Sequence, residues 1–345
     1  MTTLRKPRRP AAHGPALLAV DVGNSETTIG VFQDEDIVLS WRVRTLPRTP
    51  DETLLLLRQL LAPEAIDLAG LPSVLSSVVP PVTAEFARSL EQLTGHAPVV
   101  VGPETVPSMV IRYLDPTAVG PDRLANAVAV RELYGTPAIV VDLGTATTFD
   151  VVGKDGDYLG GAIAPGLVLS AEELFRRASR LGRVGLARPA RAIGRTPEES
   201  MQSGIVFGHA GIVDALVTRI LVELGGDAHV VATGGLARLL EGEATTLEHI
   251  DEGLTLKGLR LIHEAVAHPE MLTAWAKKQE ARQKRRAPAP APAPSRATAT
   301  AAATRAAAPP PHSAPAKAAA TVTAEADVAA RRKRRGRRGG RRARH

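Results

Sequence analysis

Two short stretches of the chain carry the residue types best suited to chemistry on a charged ligand. Val20-Asp21-Val22-Gly23-Asn24-Ser25-Glu26-Thr27 and Val141-Asp142-Leu143-Gly144-Thr145-Ala146-Thr147-Thr148 lie 121 residues apart and match at Val, Asp, Gly and the final Thr. A strand ending in Asp-x-Gly and small polar residues suits a nucleotide phosphate. The glycine lets backbone N–H groups approach without a Cβ in the way, the next side chains donate hydrogen bonds, and the aspartate holds a cation that offsets phosphate charge. A tight hairpin with a turn-favouring aspartate explains one such stretch equally well. Two of them, at domain spacing, imply a duplicated α/β fold whose equivalent turns face one cleft. A third turn, Thr233-Gly234-Gly235-Leu236, follows a candidate strand and opens a candidate helix. It is a seat for an adenine ring or ribose, although strand-to-helix turns commonly use glycine.

Between the repeats, Gly120-Pro121-Asp122-Arg123 precedes a helical pattern. Pro121 suits a first helical turn and the helix dipole favours Asp122 there, so a purely structural cap accounts for the tetrapeptide. The chemical reading stands beside it: Asp122 takes a proton from an acceptor hydroxyl while Arg123 reads an anionic group, since phosphoryl transfer asks mostly for positioning and charge neutralisation. Gly160-Gly161-Ala162-Ile163-Ala164-Pro165-Gly166 joins a strand to a helix, and close packing and ligand contact explain it alike. His209, His229, His249 and His263 show no ligand spacing and read as surface or satisfied core residues.

The elements that must position these residues alternate along the chain. Apolar runs at 17–22, 29–32 and 37–43 read as a three-stranded meander. Asp51 is expected to cap a helix whose Leu54, Leu55, Leu57, Leu60 and Leu61 share one face, after which 74–79 is a buried strand and 82–93 a helix. The order then repeats. Strands at 139–141, 147–152 and 158–163, the last two joined by the turn Lys154-Asp155-Gly156-Asp157, lead to helices at 167–180, 198–222, 236–240 and 252–266 around a strand at 229–232. The reading divides the chain into a flexible basic arm (1–15), two halves (16–135 and 136–270) and a tail (271–345).

Composition sharpens that division. A length of 345 residues allows two modest domains. Residues 277–345 hold 19 Lys and Arg against 3 Asp and Glu, so the net charge of +7 belongs to the tail and the remainder is mildly acidic. Ala-Pro alternation and an Arg-Gly block cannot offset ordering entropy, and the tail reads as disordered. Its cations suit salt-sensitive, sequence-independent attachment to nucleic acid or another polyanion. The absence of cysteine excludes a disulfide scaffold, a thiolate zinc site and a cysteine nucleophile. No uninterrupted apolar run approaches the roughly 20 residues of a membrane helix, and 16–20 is too short for a signal-peptide core. No membrane attachment is expected, and the cytoplasm is the default compartment.

Four motifs in order carry a family resemblance. Asp21-Val22-Gly23-Asn24, Ile111-Arg112-Tyr113 followed by Gly120-Pro121-Asp122-Arg123, the stretch from Asp142 to Asp150, and that from Gly160 to Gly166 together resemble type III pantothenate kinase, over roughly residues 16–267. The resemblance implies an acetate and sugar kinase/Hsp70/actin-like (ribonuclease H-like) fold, a homodimer, ATP with Mg²⁺, a monovalent cation such as K⁺ or NH₄⁺, and phosphorylation of pantothenate at the start of coenzyme A synthesis. It places ATP on Asp21, Val22, Gly23, Asn24, Ser25, Glu26, Thr27, Thr28 and Thr145. Pantothenate falls on Tyr113, Gly120, Pro121, Asp122 and Arg123, the proton acceptor on Asp122 and the monovalent cation on Asp142, while Asp21 is expected to meet Mg²⁺ through the phosphates.

The chain departs from the family's pattern at three points. Glu26 brings a carboxylate close to the expected phosphates, Pro121 replaces the usual Ala, and Pro197 stands where the family has a substrate-binding Thr, with Thr196 one position away. Pro121 fits a helix start, whereas Glu26, Pro197 and the cationic tail favour an alternative, a catalytically weak relative acting as a nucleic-acid-tethered regulator. A third reading, an actin- or Hsp70-like ATPase with a protein client, shares the fold signature but lacks the length for client-binding or polymerising additions.

Overall fold

The computed structural model describes residues 16–64, 66–106, 109–177, 184–273, 275 and 277, all within one compact unit. The basic arm and nearly all of the basic tail lie outside the described residues, as do 178–180 of the helix expected at 167–180. Residues 271–273, 275 and 277, read from sequence as the start of the tail, are helical, and Trp275 packs partly buried against the core.

Among the described residues, ten strands form two five-stranded sheets of matching design. In the first, β1 (Ala16–Val22), β2 (Glu26–Gln33) and β3 (Asp36–Arg44) make an antiparallel meander, and β4 (Ser73–Ser77) and β5 (Val99–Val100) add in parallel beside β1. In the second, β6 (Ala138–Leu143), β7 (Ala146–Val152) and β8 (Tyr158–Pro165) repeat the meander, and β9 (His229–Thr233) and β10 (His249–Ile250) add in parallel beside β6. Alternation along β1 explains how both faces are covered: Leu18, Val20 and Val22 point into one core, Leu17 and Ala19 into another.

Helices α1 (Pro50–Leu61) and α2 (Pro80–Thr94) cover the outer face of the first sheet. Thr49, rather than Asp51, caps α1: its hydroxyl accepts from the Glu52 N–H while the Glu52 carboxylate accepts from the Thr49 N–H, a reciprocal capping box. Helix α5 (Pro197–Leu224) lies against the second sheet through Val206, Ala210, Val213 and Val217, with α4 (Leu167–Arg177) beside it. By length and composition α5 is apolar enough to cross a membrane, with a mean hydropathy of 1.8 over 18 residues. The sequence reading missed this because it counted unbroken apolar runs, and His209, Asp214 and Arg219 interrupt this one. The helix expected at 236–240 is a single 3₁₀ turn, Ala237–Leu240.

The central layer is the pair α3 (Pro121–Leu133) and α6 (Leu254–Ala267), whose shared core takes Leu17 and Phe32 from one sheet and Val140 and Tyr158 from the other. Phe32, Leu124 and Tyr158 are fully buried there, each worth roughly 1.5–3 kcal/mol of apolar transfer. Gly258 permits the close crossing, since any Cβ on it would overlap the Ala125 backbone. Ten of the thirteen residues of α3 are buried, so its N-terminus is held rigidly between the sheets.

Candidate active site

Two cross-strand rows open onto the cleft. Ser76, Asp21, Thr28 and Arg42 are register partners across the first sheet, and Thr233, Asp142, Thr148 and Ile163 across the second. The turns following the two aspartates differ by one residue: the Gly23 N–H donates to the Glu26 carbonyl, the Gly144 N–H to the Ala146 carbonyl. Thr148 therefore corresponds to Thr28, and the sequence match of Thr27 with Thr148 slips by one position. The equivalent buried threonines, Thr27 and Thr147, each anchor a turn. Thr27 meets the Thr45 hydroxyl at 2.9 Å, which donates to the Gly23 carbonyl at 2.7 Å; Thr147 meets His209 Nε2 at 2.8 Å. The turns touch across the cleft, where the Thr145 hydroxyl donates to the Ser25 hydroxyl at 2.9 Å.

The carboxylates of this cleft repel one another. Burial, then Asp122 and Asp142, push Asp21 up to about 7 against the hydrogen bond from Ser76 (2.8 Å). Burial and Asp122 push Asp142 up to about 6, opposed by the Asn126 amide, which donates at 3.1 Å, and by Arg42. Asn126, fully buried one turn beyond Asp122 on α3, is itself held by the Thr255 hydroxyl at 2.8 Å. Gly234, at φ +90°, packs so closely on Asp142 that a Cβ would lie 2.7 Å from its Oδ1. Asp122 sits in the first turn of α3 and accepts from the Arg123 N–H at 2.8 Å. Gly120 leaves room for that carboxylate, which any Cβ at position 120 would meet, and burial raises Asp122 as well. Chemically, the arrangement brings the buried Asp122 carboxylate near two turns of small polar residues.

Next to Asp122 lies a buried ion pair. Arg123 Nε donates to Asp150 Oδ1 at 2.7 Å, and its guanidinium lies 5.9 Å from the centroid of the Tyr158 ring. The Tyr158 hydroxyl donates to the same Asp150 oxygen at 2.9 Å. Burial outweighs the Arg123 charge and holds Asp150 at about 7. Tyr113 is brought here because the segment before it pairs with the start of β8, the Tyr158 N–H donating to the Val110 carbonyl and the Arg112 N–H to that of Tyr158. Arg112 also pairs with Asp157 at 2.6 Å. The Tyr113 ring lies 3.6 Å from where a Cβ on Gly160 would be.

The remaining expected residues are readily placed. Val22 is buried in the core and offers the cleft only its backbone, whereas Asn24, Ser25 and Glu26 are exposed at the turn. Pro121 is the first residue of α3, after Gly120. Thr196 is the exposed N-cap of α5, its hydroxyl accepting from the Glu199 N–H at 3.1 Å, and Pro197 is the first helical residue. Among the described residues no three His, Asp or Glu side chains are arranged to hold a metal ion by themselves. Sequence reading missed Arg42, Asn126 and the pairing of Asp150 with Tyr158. A polar residue inside an apolar strand, as in Phe149-Asp150-Val151, was the available signal for the last.

Comparison with known proteins points to one family. A family model for type III pantothenate kinase matches residues 17–219. The type III pantothenate kinase of Moorella thermoacetica is 47% identical over 250 residues, 72% of this chain and 98% of that protein. The one from Geobacter sulfurreducens is likewise 47% identical over the same coverage. Among solved structures, a ROK hexokinase from Thermus thermophilus covers 72% of this chain and 98% of its own, with a TM-score of 0.41 at 14% identity. Two matching sheets, a shared central helix pair and facing turns make this a duplicated acetate and sugar kinase/Hsp70/actin-like fold, and the chain belongs to the type III pantothenate kinase family.

Proposed function

We propose that this chain transfers the γ-phosphoryl group of ATP to pantothenate, giving 4′-phosphopantothenate and ADP. One observation carries the reading: Asp122, at the buried start of α3 next to Arg123, lies close enough to Asp21 and Asp142, the aspartates of the two turns, to act on both carboxylates. Asp122 accepts the proton of the pantothenate hydroxyl as its oxygen bonds to the γ-phosphorus and the bond to the β-phosphate oxygen breaks. Asp21, Gly23, Asn24, Ser25, Thr27, Thr28 and Thr145 border the nucleotide, and Tyr113, Gly120 and Arg123 the acceptor. A cation fits Asp142, a buried carboxylate with like-charged neighbours, and Mg²⁺ fits Asp21 through the phosphates. Bound there, the ions would neutralise phosphate charge.

Glu26 and Pro197 give the regulator alternative little support, since Glu26 is exposed and Pro197 opens a well-capped helix. A homodimer is proposed from the family, and an apolar groove of about 550 Å³ between α4 and α5, lined by Leu174, Pro197, Met201, Ile205 and Ile212, is one face it could use. Gly204, Gly208 and Gly211 leave open space along that helix for a close partner. The cytoplasm is the proposed compartment, and the tail is proposed to hold polyanions without sequence preference. Thr196 is proposed as an acceptor contact from the start of α5. The discriminating experiment measures ADP release with and without pantothenate in Mg²⁺ and K⁺. Release that depends on pantothenate is the expected result, and equal release without it would indicate an ATPase instead.

A further inference from the structure

Arg123 is only 8% exposed, so how its guanidinium is aimed is decided by its neighbours. Its Nε edge is used by Asp150, which leaves the Nη end for a ligand. Tyr158 acts twice, donating to Asp150 and setting its ring 5.9 Å from the guanidinium, within cation–π range, so one side chain touches both partners. Asp150 faces Gly161 across the β7–β8 ladder. A Cβ on Gly161 would lie 3.2 Å from Arg123 Nη2 and would overlap the Phe149 carbonyl, so the Nη end occupies space that only glycine leaves free. Asp150 also cancels the charge of Arg123 when ionised. Attraction for an anion then depends on the geometry of the fork more than on net charge.

We infer that Asp150 is a positioning residue that aims the Arg123 fork and thereby makes the pocket select an acceptor bearing a free carboxylate over its neutral analogues. The inference rests on the proposed pantothenate site and adds to it that the acceptor's carboxylate is the group that meets Arg123. Sites built to hydrogen-bond one group reject analogues lacking it, because their buried polar atoms are left unpaired.

The test compares kcat/KM for pantothenate with that for panthenol, in which CH₂OH replaces the carboxylate, using the full chain and its Asp150→Asn and Tyr158→Phe variants. Asp150→Asn should lower the pantothenate-to-panthenol ratio by about tenfold or more, the scale of one charge-assisted pair. The loss should appear in the KM for pantothenate, with KM for ATP unchanged. Tyr158→Phe should act in the same direction by a smaller factor, and it decides the matter should Asp150→Asn not fold. A ratio within twofold of wild type in a folded variant overturns the inference, as does an equal fall for both acceptors, which marks a merely structural role. A wild-type enzyme that accepts panthenol as well as pantothenate overturns it while leaving the kinase intact. A wild-type protein that phosphorylates neither overturns the proposed function instead.

Discussion

Gly234→Ala tests how tightly the second lobe is built around Asp142. Two costs are predicted at this position. Residue 234 has φ +90°, and its Cβ would stand 2.7 Å from both Asp142 Oδ1 and the Leu143 carbonyl oxygen, closer than the 3.0 Å that real Cβ contacts respect. Gly70 separates the two costs, having φ +76° and no atom within 4 Å of its would-be Cβ. Gly70→Ala should therefore show only the strain of a left-handed backbone, roughly 1–2 kcal/mol. Gly234→Ala adds overpacking of roughly 1–3 kcal/mol. At roughly 2–4 °C per kcal/mol for a chain of this size, calorimetry should place Gly70→Ala a few degrees below wild type and Gly234→Ala about twice as far or more. Because the clash falls on Asp142, Gly234→Ala should also raise the KM for ATP by on the order of tenfold, while Gly70→Ala leaves it unchanged. Equal melting of the two variants would refute the close packing of Gly234 on the carboxylate.

Other predictions follow from the carboxylates and the tail. Asp21 and Asp150 at about 7 and Asp142 at about 6 hold protons in the folded chain at pH values where the unfolded chain has released them. Their contribution is therefore present near pH 4 and lost as pH rises through 6 to 7; His209 and His263, lowered by burial, work in the opposite direction at acid pH. Asp21→Asn should raise the melting temperature at pH 8 and flatten the fall above pH 5, and an unchanged pH profile would contradict this. Turnover should rise steeply with K⁺ or NH₄⁺ and weakly with Na⁺, and Asp142→Ala should flatten that response; equal rates in all three salts would remove the cation from Asp142. Deleting residues 277–345 should preserve pantothenate phosphorylation and abolish low-salt retention on nucleic acid, whereas a folded but inactive truncation would make the tail part of the site.

Sequence alone conveyed the two meanders, because apolar runs ending at Gly23 and Gly144 are local signals of a strand and its turn. It also placed Asp122 and Arg123 at a helix start. Thr49-Pro50-Asp51-Glu52 contains the capping-box spacing, a local signal for Thr49 as the cap in place of Asp51. The two-residue strands β5 and β10 were not legible, since each exists only by pairing with β4 or β9. The one-residue difference between the turns was hidden because Thr27-Thr28 and Thr147-Thr148 offer the same letters in either register. Arg42 and Asn126 were hidden for a different reason. Arg42 reaches Asp142 from β3 in the other sheet and Asn126 from α3, the helix just before β6, and no local pattern encodes either approach.

The most direct test of the account is the mass of the product formed from pantothenate, ATP, Mg²⁺ and K⁺ by the wild-type chain and by Asp122→Asn. The nearly isosteric Asn keeps the helix start but cannot accept the proton. Wild type should yield 4′-phosphopantothenate, and the variant should fold while forming it on the order of 10² to 10⁴ times more slowly, the usual contribution of a positioned general base. No phosphorylated product from the wild-type chain, or near-normal turnover by the variant, would contradict the central claim that Asp122 is the base of a pantothenate kinase.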